Sequence, residues 1–195
     1  MNRFPLILPP SSPWLPRRRG FGLAMLSASA VALLGGRDAL AAGAAKTTAK
    51  QHEADMRILN TALGAEYEAI AAYQVGAESG LLTSGVLALA QQFQGHHKEH
   101  AQAIAGAVQK MGGKPVEAKA RYSFPTDTLK AEADVLRFAA GLERGAVSAY
   151  LGAVPLFADR ALAQVAASIL GDEAMHWAVL RQALGEAPVP SAFMS

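Results

Sequence analysis

Beginning at Met56, apolar residues return at alternating steps of three and four, the period of a helix that buries one stripe. The first stripe, Met56, Leu59, Leu63, Glu66, Ile70, Tyr73 and Ala77, predicts a helix over residues 55–77. Glu78-Ser79-Gly80 breaks it, and Thr83 or Ser84 is placed to cap a second helix. That helix carries Val86, Ala90, Phe93, His97, His100, Ile104, Ala107 and Met111 on its seam, and Gly112, Gly113 and Pro115 stop it. A third stripe starts near Asp127 or Thr128, turns Leu136, Ala139, Glu143, Val147, Tyr150 and Val154 inward, and ends at Pro155. Asp159 caps the fourth, whose seam is Val165 or Ala166, Ile169, Glu173, His176, Leu180 and Ala183; Gly185 and Pro188 close it.

Residues 112–126 have no period and are longer than neighbouring antiparallel helices require, so they read as a connection that crosses the length of a bundle. No segment alternates strictly enough for a strand. The fold class is therefore all-α: a four-helix bundle over residues 55–186, built as two helical hairpins joined by a long crossover. Residues 42–54 are small and polar and are expected to be a flexible lead-in, with 187–195 a loose C-terminal tail.

The two hairpins repeat one another. Glu66-x-x-Ala69-Ile70-x-Ala72-Tyr73 matches Glu143-x-x-Ala146-Val147-x-Ala149-Tyr150 at an offset of 77, and His100 matches His176 at an offset of 76. Residues three apart on a helix share a face and residues seven apart nearly eclipse. The four seams can therefore aim Glu66, His97, His100, Glu143, Glu173 and His176 at one point on an approximate two-fold axis. A Glu seldom lies fully buried unless it is paired or holds a metal. Three such carboxylates around one axis would repel each other or take up protons, and two divalent cations remove that conflict. Bundle proteins hold two iron or manganese ions in this manner, with a Glu from each of two helices and a Glu-x-x-His from each of the others.

Composition narrows the chemistry. The chain has 195 residues and no cysteine, so thiolate sites and disulfides are excluded and any metal is held by His and carboxylate. Arg17, Arg18 and Arg19 precede an apolar run over residues 20–36, and Ala39-Leu40-Ala41 supplies small residues for cleavage. Residues 1–41 thus read as an export signal of the twin-arginine class, with Arg18-Arg19-Gly20-Phe21-Gly22-Leu23 at its core. The run falls short of the roughly 20 residues of a membrane span, so no membrane attachment is expected after cleavage. Loss of five basic residues and one acid with that segment moves the net charge from +2 to −2. The basic character of the whole chain then gives no reason to expect nucleic acid.

These residues resemble the ferritin-like superfamily, and most closely its exported bacterial members with twin-arginine signals, over residues 55–185. The resemblance matches Glu66 to the first-helix carboxylate, His100 to the second-helix His, Glu143 to the third-helix Glu, and Glu173 with His176 to the fourth-helix Glu-x-x-His. It matches Tyr73 to a tyrosine near the metals. One position departs from the pattern: His97 stands where a bridging Glu belongs, and Glu99 lies about 200° away around the helix. An imidazole does not bridge two cations as a carboxylate does, which implies an asymmetric site with one tight and one weak position. His96 forms an i, i+4 pair with His100 that could also chelate, but a solvent-facing flank residue is the expectation. Tyr73 and Tyr150, the candidate catalytic residues, either donate to the opposing carboxylates or fill the bundle.

The expectation for function is a periplasmic protein with two Fe or Mn ions that reacts with dioxygen or peroxide, as a ferroxidase- or catalase-like enzyme. The alternatives are metal binding without turnover and a metal-free structural stress protein. Assembly into an oligomer is left open by the sequence.

Overall fold

The computed structural model describes residues 47–194. Among these, four long helices carry the fold: α1 (Ala49–Glu78), α2 (Ser84–Lys110), α3 (Glu132–Ala153) and α4 (Arg160–Ala183), and no strand is present. α1 pairs with α2 and α3 with α4, and the two hairpins meet along α1/α3 and α2/α4. The segment read as an export signal, residues 1–41, lies outside the described residues, and none of the described helices is long and apolar enough to cross a membrane.

The helix ends follow local chemistry. α1 begins six residues before the expected Asp55, so Ala49–Ala54 are helical where a flexible lead-in was expected. The cause is a capping box: the Gln51 N–H donates to the Thr48 hydroxyl oxygen, while Gln51 Oε1 accepts from the Thr48 N–H. α2 and α4 close through Gly112 (φ 77°) and Gly185 (φ 75°). In each, the glycine and the residue after it donate back to carbonyls of the last turn, a Schellman closure that needs the left-handed region glycine enters without strain.

α3 also departs from expectation, starting at Glu132 rather than near Asp127. Residues Thr126–Thr128 form one 3-10 turn instead. The Asp134 carboxylate accepts from the N–H groups of Lys130 and Ala131, and this capping fixes the true start. The connection thus runs over residues 111–131 and is tied down at both ends. Asn60 of α1 accepts from the Val116 N–H, and the Phe124 ring meets Phe138 of α3 edge-on. At its other end α3 gives way to a 3-10 turn (Val154–Leu156) containing Pro155, and Asp159 caps α4 through Ala161 and Leu162. In the fourth seam Ala166 is buried and Val165 exposed, and Ala183 faces out while Leu184 turns in.

The core has three layers along the bundle axis. One apolar layer contains Leu59, Leu63, Ile104, Val108, Ala166, Ile169 and Tyr150, and the other contains Tyr73, Phe93, Leu136, Ala140 and Leu180. Each fully buried aliphatic side chain stabilises the bundle by about 1.5–3 kcal/mol. Between the layers lies a band of ionisable residues.

Candidate metal centre

That band is composed of Glu66, Glu143, Glu173, His97 and His176, each at most 3% exposed, with His100 partly buried beside them. The four seams deliver one or two each, because every one of these positions continues the apolar period of its helix. His97 occupies the centre. Its Nδ1 lies 2.9 Å from Glu66 Oε2 and 3.5 Å from Glu173 Oε1, and its Nε2 lies 3.3 Å from Glu143 Oε1. His100 Nδ1 is 3.1 Å from Glu173 Oε1. His176 Nδ1 is 3.4 Å from Glu173 Oε2 and 3.5 Å from Glu143 Oε1.

The two tyrosines cross the axis. Tyr150 of α3 donates to Glu66 of α1 at 2.5 Å, and Tyr73 of α1 donates to Glu143 of α3. Each spans from the flanking apolar layer to the opposing carboxylate, so they are hydrogen-bond donors to the band as well as core residues. Burial and the adjacent carboxylate, Glu143 for Tyr73 and Glu66 for Tyr150, raise both phenols well above their ordinary range, which keeps each hydroxyl protonated.

Electrostatics in the band are set by competition between burial and pairing. Burial would lower the His97 imidazole, but Glu143 and Glu66 outweigh it and hold it up at about 10. The same contest leaves His100 at about 9, through Glu173 and Glu66, and His176 at about 9, through Glu143 and Glu173. Burial raises Glu66 and Glu143, yet the imidazoles beside them win and hold both below the usual carboxylate range. Glu173 is raised, by burial first and by its neighbour Glu143, against the pull of His100 and His176.

Pairing does not satisfy the band. His100 Nδ1, Glu143 Oε2, both Glu173 oxygens and His176 Nδ1 are buried with no hydrogen-bond partner. A buried polar atom without a hydrogen bond costs about 1–3 kcal/mol; four of these five have ion-pair contacts at 3.1–3.5 Å but no hydrogen bond, and all five converge on one spot. Two groups have donor atoms all within 4.8 Å of one another: Glu66, His97, His100 and Glu173, and His97, Glu143, Glu173 and His176. Both share His97 and Glu173. A carboxylate and imidazole donor set without thiolate suits iron, manganese or zinc, so these residues fit a pair of such ions.

Asp172, one residue before Glu173 and off the α4 seam, also belongs to the centre although no periodicity marks it. Its Oδ2 lies 3.3 Å from His100 Nε2 and 3.2 Å from His176 Nε2, the outward nitrogens of two imidazoles whose Nδ1 atoms face the band. One carboxylate therefore fixes the orientation of both rings. His96 is not simply a flank residue: its Nδ1 meets His176 Nε2 at 2.8 Å and Asp172 Oδ2 at 3.3 Å. On the opposite side of the bundle a cleft of about 1000 Å³ runs along the α1/α3 seam, lined by small residues such as Ala65, Ala69, Gly145 and Ala149. Glu66, His97, Glu143 and Tyr150 lie along its wall.

Comparison with known proteins agrees with this architecture. A conserved hypothetical protein from Mycobacterium tuberculosis superposes with a TM-score of 0.64 at 24% identity, covering 73% of this chain and 99% of that one. The bacterioferritin-related protein of Bacteroides fragilis, a dodecameric thioferritin, gives 0.61 at 24% identity, covering 69% and 86%. The bacterioferritin of Desulfovibrio desulfuricans, whose structure describes a diiron site in different catalytic states, gives 0.64 at 19% identity, covering 70% and 81%. No curated protein matches the chain. The family model for the ferritin-like domain matches residues 54–186, and the chain belongs to that family.

Proposed function

We propose that this protein is a periplasmic two-metal oxidase, holding two Fe or Mn ions in the carboxylate/His band and turning over dioxygen or peroxide. The observation that supports it most is the set of five buried, unpartnered donor atoms on Glu143, Glu173, His100 and His176. Glu66, His100 and Glu173 would hold one ion, and Glu143, Glu173 and His176 the other, with Glu173 facing both. The ions, when bound, supply the electrons that reduce the oxidant. The chain supplies geometry: Tyr150 and Tyr73 pin the terminal carboxylates, Asp172 holds two imidazoles, and the apolar layers close the band above and below along the bundle axis. The cleft between α1 and α3 gives a small neutral oxidant a way to Glu66 and Glu143. Export rests on the Arg18-Arg19 signal, and replacing both by Lys should leave the precursor in the cytoplasm.

His97 favours a second reading, metal binding without turnover. Its ring pairs with Glu66 and Glu143 at once, so it neutralises part of the band where a carboxylate would have been shared between ions. Aerobic addition of iron(II) separates the readings. An oxidase yields iron(III) absorbance with consumption of oxidant; iron that binds and stays ferrous would establish the second reading.

A further inference from the structure

The band does not use every metal-binding atom near it. His96, Asp172 and the outward Nε2 of His176 form a third cluster, toward the face shared by α2 and α4. The edges of this triangle are 2.8 Å (His96 Nδ1 to His176 Nε2), 3.2 Å (His176 Nε2 to Asp172 Oδ2) and 3.3 Å (His96 Nδ1 to Asp172 Oδ2). Donors about 2.0–2.2 Å from a tetrahedral or octahedral cation stand roughly 3.0–3.4 Å from each other, so the triangle closes on one with small adjustment. We propose that His96, Asp172 and His176 Nε2 form an outer divalent-cation site, separate from the paired positions within the bundle.

Three features support it. The cluster mixes two imidazoles and a carboxylate, a donor set that selects borderline cations such as zinc, iron(II) or cobalt(II) over calcium and magnesium. His176 is 2% exposed, so one of the donors is fixed by the core. Its ring is further held by Phe93, stacked at 4.0 Å between centroids. The side chains of His96 and Asp172 are 35% and 25% exposed, so a cation reaches them from solvent without the bundle opening. The outer position uses Nε2 of His176, while the Nδ1 of the same ring faces Glu173 and Glu143 in the band.

Zinc(II), which is redox-inert, tests this by equilibrium dialysis with the full protein, paired with side-chain ¹⁵N NMR of the histidines. The native chain should bind one more zinc than His96→Ala, and the His96 Nδ1 resonance should move on saturation. The same difference of one should separate Glu173→Gln from Glu173→Gln/His96→Ala, so the outer site is counted whether or not the inner pair fills. Because His96 is partly exposed, His96→Ala should keep the native circular dichroism, and His96→Gln serves as the conservative control. Equal zinc counts with and without His96, or a His96 resonance unmoved at saturation, would overturn the proposal.

Discussion

Tyr150 of α3 donates its hydroxyl to Glu66 of α1 at 2.5 Å, reaching from one apolar layer to the carboxylate of the opposite hairpin. Tyr73 repeats the contact in the other direction, to Glu143. On each of these helices the Glu thus accepts from the opposite hairpin's Tyr, and the Tyr seven residues on donates to the opposite hairpin's Glu. The repeat at an offset of 77 is therefore a device for locking the hairpins together through their ionisable band.

Replacing Tyr150 by Phe should remove that lock while keeping the ring's packing. Glu66 Oε1 then loses its donor, at a cost of about 1–3 kcal/mol in urea unfolding of the metal-free protein. Metal affinity should also fall, by about tenfold, because the carboxylate is less firmly aimed. A change under about 0.5 kcal/mol with unaltered affinity would show that Tyr150 acts by packing alone.

Stability of the metal-free bundle should depend on pH in a defined direction. His97 at about 10 and His100 and His176 at about 9 are raised above the ordinary 6.5. Their contribution is complete below about 6.5 and is lost as pH rises through 9 to 10. Glu66 and Glu143 are lowered, so theirs is present above 4.5 and lost as pH falls below it. The metal-free melting temperature should be highest between about pH 4.5 and 6.5 and decline toward pH 10. Metal binding should tighten over the same rise, because the cations compete with imidazole protons. A melting temperature constant between pH 6.5 and 9.5 would contradict this balance.

Of the three imidazoles in the band, His97 is the one whose ring contacts all three carboxylates, Glu66, Glu143 and Glu173. Changing it to Glu should destabilise the metal-free bundle, since Glu66, Glu143 and Glu173 would then face a fourth acid with only His100 and His176 left to offset the charge. Added iron(II) or manganese(II) should restore it and bring the inner pair closer to full occupancy, so the gain in melting temperature on loading should exceed that of the native chain. An equal gain in both would make His97 a packing residue only. His97→Ala should weaken the position beside Glu66 more than the half built on Glu173 and His176.

The helices and the band were legible in the sequence because both follow one period: Glu66, Glu143 and Glu173 sit where an apolar seam residue is due. What escaped depends on partners that periodicity does not pair. Asp172 lies one step off the α4 seam, and its meaning appears only when His100 of α2 is brought within 3.3 Å. His96 is similar: its ring reaches His176 of α4 while part of it stays open to solvent. Asp55 is 1% exposed because its carboxylate accepts from the N–H groups of Ala158 and Asp159, a hundred residues on. The early start of α1 did have a local signal, Thr48-x-x-Gln51, masked by the small, polar residues around it.

Anomalous diffraction from crystals grown with manganese(II), collected at the manganese edge, tests the central claim most directly. Two peaks should appear inside the bundle, one among Glu66, His100 and Glu173 and one among Glu143, Glu173 and His176, with donor distances of about 2.0–2.3 Å. Their absence from the band in a crystal saturated with manganese would contradict the account and leave the five unpartnered atoms to protons and water.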